Sequence, residues 1–200
     1  MSGHSQPRLT PEQYLELERA AMDVRSEYYN GRMYAMSGGS LIHALMIGNV
    51  VFALRSELGQ RPCLVIPSDL RVRVDPGGLY TYPDVVVVCQ EPKYVDNRRD
   101  TIVNPVLLVE VLSPSTEAYD RGFKSAQYRT MASLQEYALV SQTEPRVEVF
   151  RRRAEGDWLL SESVGLDSTC RLDSVGCTLA LRAVYENVTF GDENGDEGVA

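Results

Sequence analysis

A single acidic residue, Glu110, interrupts the apolar segment 106–112. Continuous apolar runs are typical of central strands that are covered on both faces. Strand alternation puts Leu108, Glu110 and Leu112 on one of those faces. An unpaired charge buried there costs several kcal/mol or shifts its pKa. Glu110 therefore either has a chemical role, or pairs with a nearby arginine, or lies at an exposed strand end.

A second carboxylate, Asp84, begins the neighbouring apolar run 84–89. Two acids on adjacent central strands predict a shared cation, and sites made only of oxygen ligands suit Mg²⁺ or Mn²⁺. Taken alone, Pro83-Asp84 is equally typical of a turn and cap before a strand. His43 cannot form a zinc site by itself, and it lies either near the two acids or in a packing cluster.

Lys124 is one of two lysines, whereas the chain has 18 arginines. An ammonium group can orient a water molecule or stabilise charge that develops on a phosphorane, and burial tunes its pKa. Lys124 shares a predicted helix face with Asp120 and Tyr128 through four-residue spacing. On spacing alone, the favoured interpretation of Asp120 and Lys124 is a surface ion pair.

The elements around these residues are predicted from capping, turn and periodicity signals. Thr10-Pro11-Glu12-Gln13 starts a helix that runs to about Ala21. Asn30-Gly31 is typical of a tight hairpin turn, and the apolar pattern of residues 41–58 predicts the longest helix. Further strands are expected at 64–66, 70–74, 84–89, 106–112, 136–141, 147–152 and 158–162, with a hairpin at 155–156 and helices at 120–131 and 179–186.

The whole chain indicates a globular protein with ordinary composition, and we expect one domain at residues 9–190. Residues 1–8 are predicted to be a flexible N-terminus. Residues 191–200 are predicted to be an acidic disordered tail, with a mimic that screens a basic groove as the alternative. The four cysteines contain no CxxC pair, so reduced core cysteines are favoured over disulfides or zinc ligands.

Charge and hydropathy bear on the partners and the location of the chain. Its net charge of −8 is unfavourable for contact with a polyanion. The visible basic candidates for nucleic-acid contact form no dense patch; they are Arg71, Arg73, Arg98, Arg99, Arg151, Arg152 and Arg153. Arg71 and Arg73 share one strand face by alternation, and such arginines more often line a solvated sheet edge. No apolar leader is visible and no stretch approaches the length of a membrane span, which predicts a cytoplasmic protein without a membrane partner.

Together, Pro83-Asp84 and Glu110-Val111-Leu112 resemble the PD-(D/E)XK nuclease motif, although Leu112 stands where that motif has lysine. The segments 27–31, 82–87 and 108–116, followed by Asp120, Lys124 and Tyr128, resemble the Uma-type restriction-endonuclease-like family of uncharacterised bacterial proteins. This resemblance implies an α/β fold with a mixed central β-sheet, flanking α-helices and additional β-hairpins. It also implies that the lysine has migrated to the following helix, as Lys124.

The resemblance further implies a set of roles and partners. Asp84 and Glu110 would bind Mg²⁺ or Mn²⁺, and Lys124 would act beside them. Glu27 would add a carboxylate near the site, or would be a surface acid at the base of the hairpin. DNA would be the substrate, and a homodimer is expected by analogy with the superfamily.

Three classes of function follow from these residues. The leading expectation is a metal-dependent endonuclease that hydrolyses DNA phosphodiester bonds. The alternative is a catalytically silent protein that keeps the nuclease fold and acts in binding or assembly, which the acidic composition favours. A glycosidase also uses two carboxylates, but a single tryptophan and the lack of an aromatic sugar platform argue against it.

Overall fold

The structure is a computed structural model that describes residues 8–36 and 38–190. Residues 1–7 and the acidic tail 191–200, which we predicted to be flexible and disordered, lie outside the described residues. The assignment of residues 9–190 to one domain stays a prediction.

The N-terminal elements agree with their sequence signals. Helix α1 (Pro11–Ala20) begins at a capping box, in which Thr10 and Gln13 each accept a hydrogen bond from the other's backbone N–H. Strands β1 (Ser26–Tyr29) and β2 (Arg32–Ala35) form the predicted hairpin, with positive φ at both turn residues, Asn30 and Gly31. Helix α2 (Leu41–Leu58) is capped by Ser40.

Thirteen strands and three more α-helices are found among the described residues. A six-stranded sheet has the order β11-β10-β9-β8-β6-β3, with β8 and β9 parallel and the other pairs antiparallel. A five-stranded sheet has the order β2-β1-β5-β4-β7, and β12 pairs with β13. The remaining bounds are β3 Leu64–Pro67, β4 Arg71–Val74, β5 Leu79–Thr81, β6 Val85–Val88, β7 Thr101–Ile102, β8 Leu107–Val111, β9 Glu136–Val140, β10 Arg146–Arg152, β11 Trp158–Val164, β12 Thr169–Leu172, β13 Cys177–Ala180, α3 Glu117–Tyr119, α4 Ser125–Tyr128 and α5 Leu181–Val184.

The six-stranded sheet is covered on both faces, as its apolar strands predicted. On one face, Val85, Val87 and Val109 pack against α2 and the C-terminal elements. On the other face, Leu108 and Leu112 pack among residues of the five-stranded sheet and of the helical segment 117–128. The fold is therefore the predicted mixed α/β arrangement, and the second sheet supplies part of the cover that helices alone were expected to provide.

Several boundaries differ from prediction. The helix expected at 120–131 spans residues 117–128 and contains a π-helical turn, Asp120–Lys124, between α3 and α4; we name this segment the composite helix. The C-terminal helix expected at 179–186 is short, because Leu179 belongs to β13. Strands β5, β7, β12 and β13 were not predicted, since strands of two to four residues carry too little periodicity.

The prediction of reduced cysteines is wrong for one pair. Cys63 and Cys89 form a disulfide. The pairing of Leu64 with Val88 in the antiparallel β3–β6 ladder brings these two flanking residues opposite each other, with their Cα atoms 4.0 Å apart. Cys170 and Cys177 are free and buried, as expected.

The expectation that no stretch approaches the length of a membrane span is also wrong. Within the described part of the chain, α2 is long and apolar enough, by length and composition, to cross a bilayer. In this fold α2 packs Met46, Val50 and Leu54 against the six-stranded sheet.

Arg71 was expected on a solvated sheet edge, and that interpretation is wrong. It lies on β4, between β5 and β7, and is only 4% exposed. Its guanidinium donates hydrogen bonds to Thr101 and Tyr82, both at 2.9 Å, and pairs with Asp100 at 3.1 Å. Arg19 of α1 donates two hydrogen bonds of 2.7 Å to the same Asp100 carboxylate. Asp100 therefore joins α1 to the five-stranded sheet.

We expect Asp100→Asn to lower the free energy of unfolding at pH 7 by about 1–3 kcal/mol, because Arg71 loses its acidic partner. The Arg19 hydrogen bonds lower the pKa of Asp100 from 3.8 to about 2. The contribution of the Asp100 carboxylate to the free energy of unfolding is therefore complete above pH 4 and disappears as the pH falls toward 2. Urea unfolding at several pH values measures this, with Asp167→Asn, at a 92% exposed side chain, as the control. If the free energy of unfolding depended on pH equally in wild type and in both variants, the prediction for Asp100 would be contradicted.

Candidate active site

The two central acids, Asp84 and Glu110, lie side by side where β6 begins. Continuing the β6–β8 register from Val85 opposite Val109 puts Asp84 opposite Glu110. The backbone N–H of Asp84 donates to Glu110 Oε2 at 3.3 Å, and the N–H of Val111 donates to Asp84 Oδ2 at 2.7 Å. Each carboxylate thus binds the opposite strand at the point where the ladder ends.

Glu110 is 3% exposed, and both alternatives to a chemical role for it are wrong. It is not at an exposed strand end, and its charged partner is Lys124, not an arginine. Glu110 Oε1 accepts hydrogen bonds from the Tyr128 hydroxyl at 2.8 Å and from Lys124 Nζ at 3.2 Å. Both donors come from the composite helix, which crosses this face of the six-stranded sheet.

Lys124 is 6% exposed and lies among three carboxylates. Its Nζ is 3.2 Å from Glu110 Oε1, 3.3 Å from Glu27 Oε1 and 3.1 Å from Asp120 Oδ1. The favoured interpretation of Asp120 and Lys124 as a surface ion pair is therefore wrong. The two residues bound the π-helical turn, in which the N–H of Ser125 bonds to the carbonyl of Asp120, and such turns are frequent at functional sites.

Glu27 reaches the same lysine from the five-stranded sheet. It is buried, and it accepts hydrogen bonds from the Thr81 hydroxyl and, at 2.9 Å, from the Tyr119 hydroxyl. The alternative of a surface acid at the base of the hairpin is therefore wrong. Because β1 alternates its faces, Glu27 points toward the composite helix while Tyr28 packs under α1.

His43, in the first turn of α2, lies beside the acids and not in a separate packing cluster. Its Nε2 is 3.1 Å from Asp84 Oδ1, and its Nδ1 is 2.9 Å from Nε2 of Gln142. The hydrogen bond to Asp84 raises the pKa of His43. Sequence analysis did not identify Gln142; its signal was a polar side chain two residues after the end of the buried strand β9.

The site carries more negative than positive charge. The carboxylates of Glu27, Glu110 and Asp120 lie within 3.3 Å of the single ammonium of Lys124, and the Asp84 carboxylate lies beside Glu110. Burial raises the pKa of Glu110 well above its usual value, and Asp84 and Asp120 raise it further against the opposing effect of Lys124. Burial likewise raises the pKa of Asp120.

The same excess of negative charge acts on the lysine. Burial alone would lower the pKa of Lys124, but Glu110, Glu27 and Asp120 raise it well above its ordinary value. Lys124 is therefore a fixed positive charge at neutral pH. The carboxylates around Lys124 outnumber its single ammonium, and a divalent cation would complement that charge.

The residues present fit Mg²⁺ or Mn²⁺ better than a metal held wholly by protein. Within residues 8–36 and 38–190, no cluster of three or more His, Cys, Asp or Glu side chains has metal-ligand geometry. Asp84 and Glu110 supply carboxylate oxygens at the floor of a cleft of about 300 Å³, and Asp120 Oδ1 is buried there with its ion pair to Lys124 but without a hydrogen bond. Mg²⁺ commonly takes one or two carboxylates and completes its shell with water and phosphate oxygens.

Comparison with known proteins agrees with this architecture. A model of the Uma2 family, described as "Putative restriction endonuclease", matches residues 11–182. The chain belongs to this family. Two Synechocystis relatives are each 37% identical: uncharacterized protein slr1290, over 92% of this chain and 95% of its own, and uncharacterized protein sll1609, over 78% and 88%.

A solved structure supports the fold of this Uma2 chain. The crystal structure of "a putative nuclease belonging to DUF820" from Anabaena variabilis superposes with a TM-score of 0.72 at 18% identity, covering 88% of this chain and 97% of that one. The restriction-endonuclease-like fold is thus confirmed. The catalytic and metal-binding roles of Asp84, Glu110, Lys124 and Glu27 stay predictions.

Most of the arginines that we considered for nucleic-acid contact are engaged elsewhere. Arg151 pairs with Glu136 and Asp173, and Arg153 pairs with Asp157. Arg152 lies over the Trp158 ring and donates hydrogen bonds to backbone carbonyls. Arg73 pairs with Asp75, whereas Arg98 and Arg99 are exposed.

Proposed function

We propose that this Uma2-family chain is a metal-dependent endonuclease that hydrolyses DNA phosphodiester bonds. The observation that carries the proposal is the buried contact of Lys124 with Glu110, 3.2 Å apart, beside Asp84. Two carboxylates and one ammonium in a cleft form a set that suits metal-assisted phosphodiester hydrolysis.

Each residue has a distinct task in this proposal. Asp84 and Glu110 hold Mg²⁺ or Mn²⁺, which when bound lowers the pKa of water and polarises the phosphodiester. Lys124 stabilises the charge that develops on the phosphate in the transition state. Glu27 and Asp120 keep Lys124 charged and in position, while Tyr128 orients Glu110.

The lysine acts from the composite helix because the strand position is taken by an apolar residue. Leu112 lies two residues after Glu110, just beyond the end of β8, and packs in the apolar cluster between the two sheets. A lysine there would lie in that apolar cluster. The ammonium of Lys124 reaches Glu110 from the opposite layer instead, which supports a migrated lysine.

One observation favours the second candidate, a silent nuclease-fold protein that acts in binding or assembly. The net charge is −8, and several surface arginines are paired with acids. The two candidates differ in a single outcome, the cleavage of DNA.

We further propose a cytoplasmic location and a homodimer, and light scattering coupled to gel filtration tests the dimer.

We expect Asp84→Asn to reduce Mg²⁺-dependent cleavage of DNA at least about a hundredfold, because the cation loses one of its two carboxylates. The measurement is a gel assay on plasmid and linear DNA with Mg²⁺, Mn²⁺ or EDTA. Asp167→Asn is the matched control, since its side chain is 92% exposed and forms a surface ion pair with Arg182. Equal cleavage by both variants, or cleavage in EDTA, would overturn the proposed site.

A further inference from the structure

An aromatic cleft of about 530 Å³ opens beside the candidate active site. It is lined by four aromatic side chains, Tyr29, Tyr34, Tyr119 and Phe123. The Tyr119 and Phe123 rings are stacked with their centroids 5.4 Å apart, and the Tyr29 and Phe123 rings pack edge to face with their centroids 4.8 Å apart. The proposed roles of Asp84, Glu110 and Lys124 do not use this cleft.

The floor of the aromatic cleft is held in place before any ligand arrives. The Tyr119 hydroxyl donates to Glu27, so the ring cannot turn away without breaking a buried hydrogen bond. Tyr29 shares the Glu27 face of β1, and Tyr34 on β2 pairs directly with Glu27. Tyr34 is 48% exposed, and it forms the open wall. A concave group of aromatic rings that are at least partly open to solvent is typical of a binding surface.

The aromatic cleft is continuous with the cleft of the acids. Met36, Thr116 and Lys124 line both. Lys124 Nζ is 5.5 Å from the centroid of the Tyr119 ring. A group that stacks in the aromatic cleft therefore lies beside any phosphate that Lys124 contacts.

A nucleobase can stack on the rings of the aromatic cleft only when it is unpaired. In a duplex both faces of each base are covered by neighbouring pairs, so a base must leave the stack before it reaches a protein ring. Stacking on aromatic side chains contributes affinity without positive charge. That matters here, because an acidic chain with few free arginines gains little from phosphate contacts.

We propose that the aromatic cleft stacks an unpaired nucleobase next to the scissile phosphate. The preferred substrate is then single-stranded DNA, or DNA that is unpaired at the point of cleavage. The inference rests on the proposed function, which places the scissile phosphate beside Lys124. To that function it adds the class of DNA substrate.

Equilibrium binding tests the proposal separately from catalysis. Fluorescence anisotropy of a labelled single strand and of a duplex with the same sequence is measured with Ca²⁺ in place of Mg²⁺, and the DNA is checked for integrity on a gel. We expect Tyr34→Ala to weaken single-strand binding about tenfold and Tyr34→Phe to retain it. Tyr94→Ala is the matched control: Tyr94 is 36% exposed and lies beside β7, at the opposite edge of the five-stranded sheet.

The outcomes separate this inference from the proposed function. Unchanged single-strand affinity in Tyr34→Ala, or a duplex affinity equal to that of the single strand, overturns the stacking site even if wild type cleaves DNA. Loss of single-strand binding in Tyr34→Ala but not in Tyr94→Ala supports it. That result would stand even if no protein in the set cleaved DNA, in which case only the nuclease proposal would fail.

Discussion

Glu110→Gln is expected to lose about a thousandfold in DNA cleavage while it unfolds no more easily than wild type in the absence of divalent cations. The loss of activity follows because the carboxylate is one of two that hold the cation, and a metal ion contributes several kcal/mol to charge stabilisation in the transition state. The retained stability follows from the excess of negative charge around Lys124. Glutamine can still accept the Tyr128 hydrogen bond, and Lys124 keeps its contacts with Glu27 and Asp120.

The effect of Glu110→Gln on stability depends on pH. The folded-state pKa of Glu110 is raised by burial above the usual 4.5, so the folded protein binds this proton more tightly than the unfolded chain does. The ionised form therefore costs free energy of folding once the pH rises above about 4.5, and that cost is absent at lower pH. The stability difference between Glu110→Gln and wild type should grow as the pH rises above 4.5.

Thermal unfolding without Mg²⁺ tests the retained stability of Glu110→Gln, and thermal unfolding with Mg²⁺ tests its loss of cation binding. A bound ion stabilises the folded state by mass action, so the Tm of wild type should rise with Mg²⁺ concentration and that of Glu110→Gln should not. Glu162→Gln, at an exposed residue of β11, is the control. A Mg²⁺ response in Glu110→Gln equal to that of wild type would show that Glu110 does not hold the cation.

Lys124→Met should be the most destabilising of these substitutions, with a loss of about 3–5 kcal/mol in the free energy of unfolding. Three buried carboxylates lose their shared counterion, while methionine fills much of the same volume. Cleavage should also fall by about a hundredfold or more, because the fixed positive charge beside the scissile phosphate is gone.

The other lysine supplies a matched control. Lys93 is exposed, so Lys93→Met should leave both stability and cleavage close to wild type. Urea unfolding gives the stability, and cleavage is compared at a temperature where near-ultraviolet circular dichroism indicates that every variant is folded. If folded Lys124→Met cleaved DNA as wild type does, the migrated lysine would be excluded, although the roles of Asp84 and Glu110 could stand.

The sequence by itself determined the local helices and turns, and it identified Glu110, the site residue whose buried charge costs the most folding free energy. The Thr10–Gln13 capping box and the Asn30-Gly31 turn depend only on neighbouring residues, and both are present as predicted. Glu110 was identifiable because a carboxylate inside a continuous apolar strand is costly unless a partner or a ligand compensates its charge. Asp84 was identifiable from its place at the start of the neighbouring apolar run, and the family resemblance then indicated the role of Lys124.

Only the tertiary structure decided how the other polar groups are used. Asp120 and Lys124 have the spacing of a surface pair, and Glu27 that of a hairpin acid, yet all three are buried because the composite helix lies between the two sheets. Arg71 and the Cys63–Cys89 pair were misassigned for the same reason. Cys63 bonds to Cys89, 26 residues away, and Arg71 donates a hydrogen bond to Thr101, 30 residues away. Burial and pairing were therefore fixed by strand register and layer packing, which no local pattern encodes.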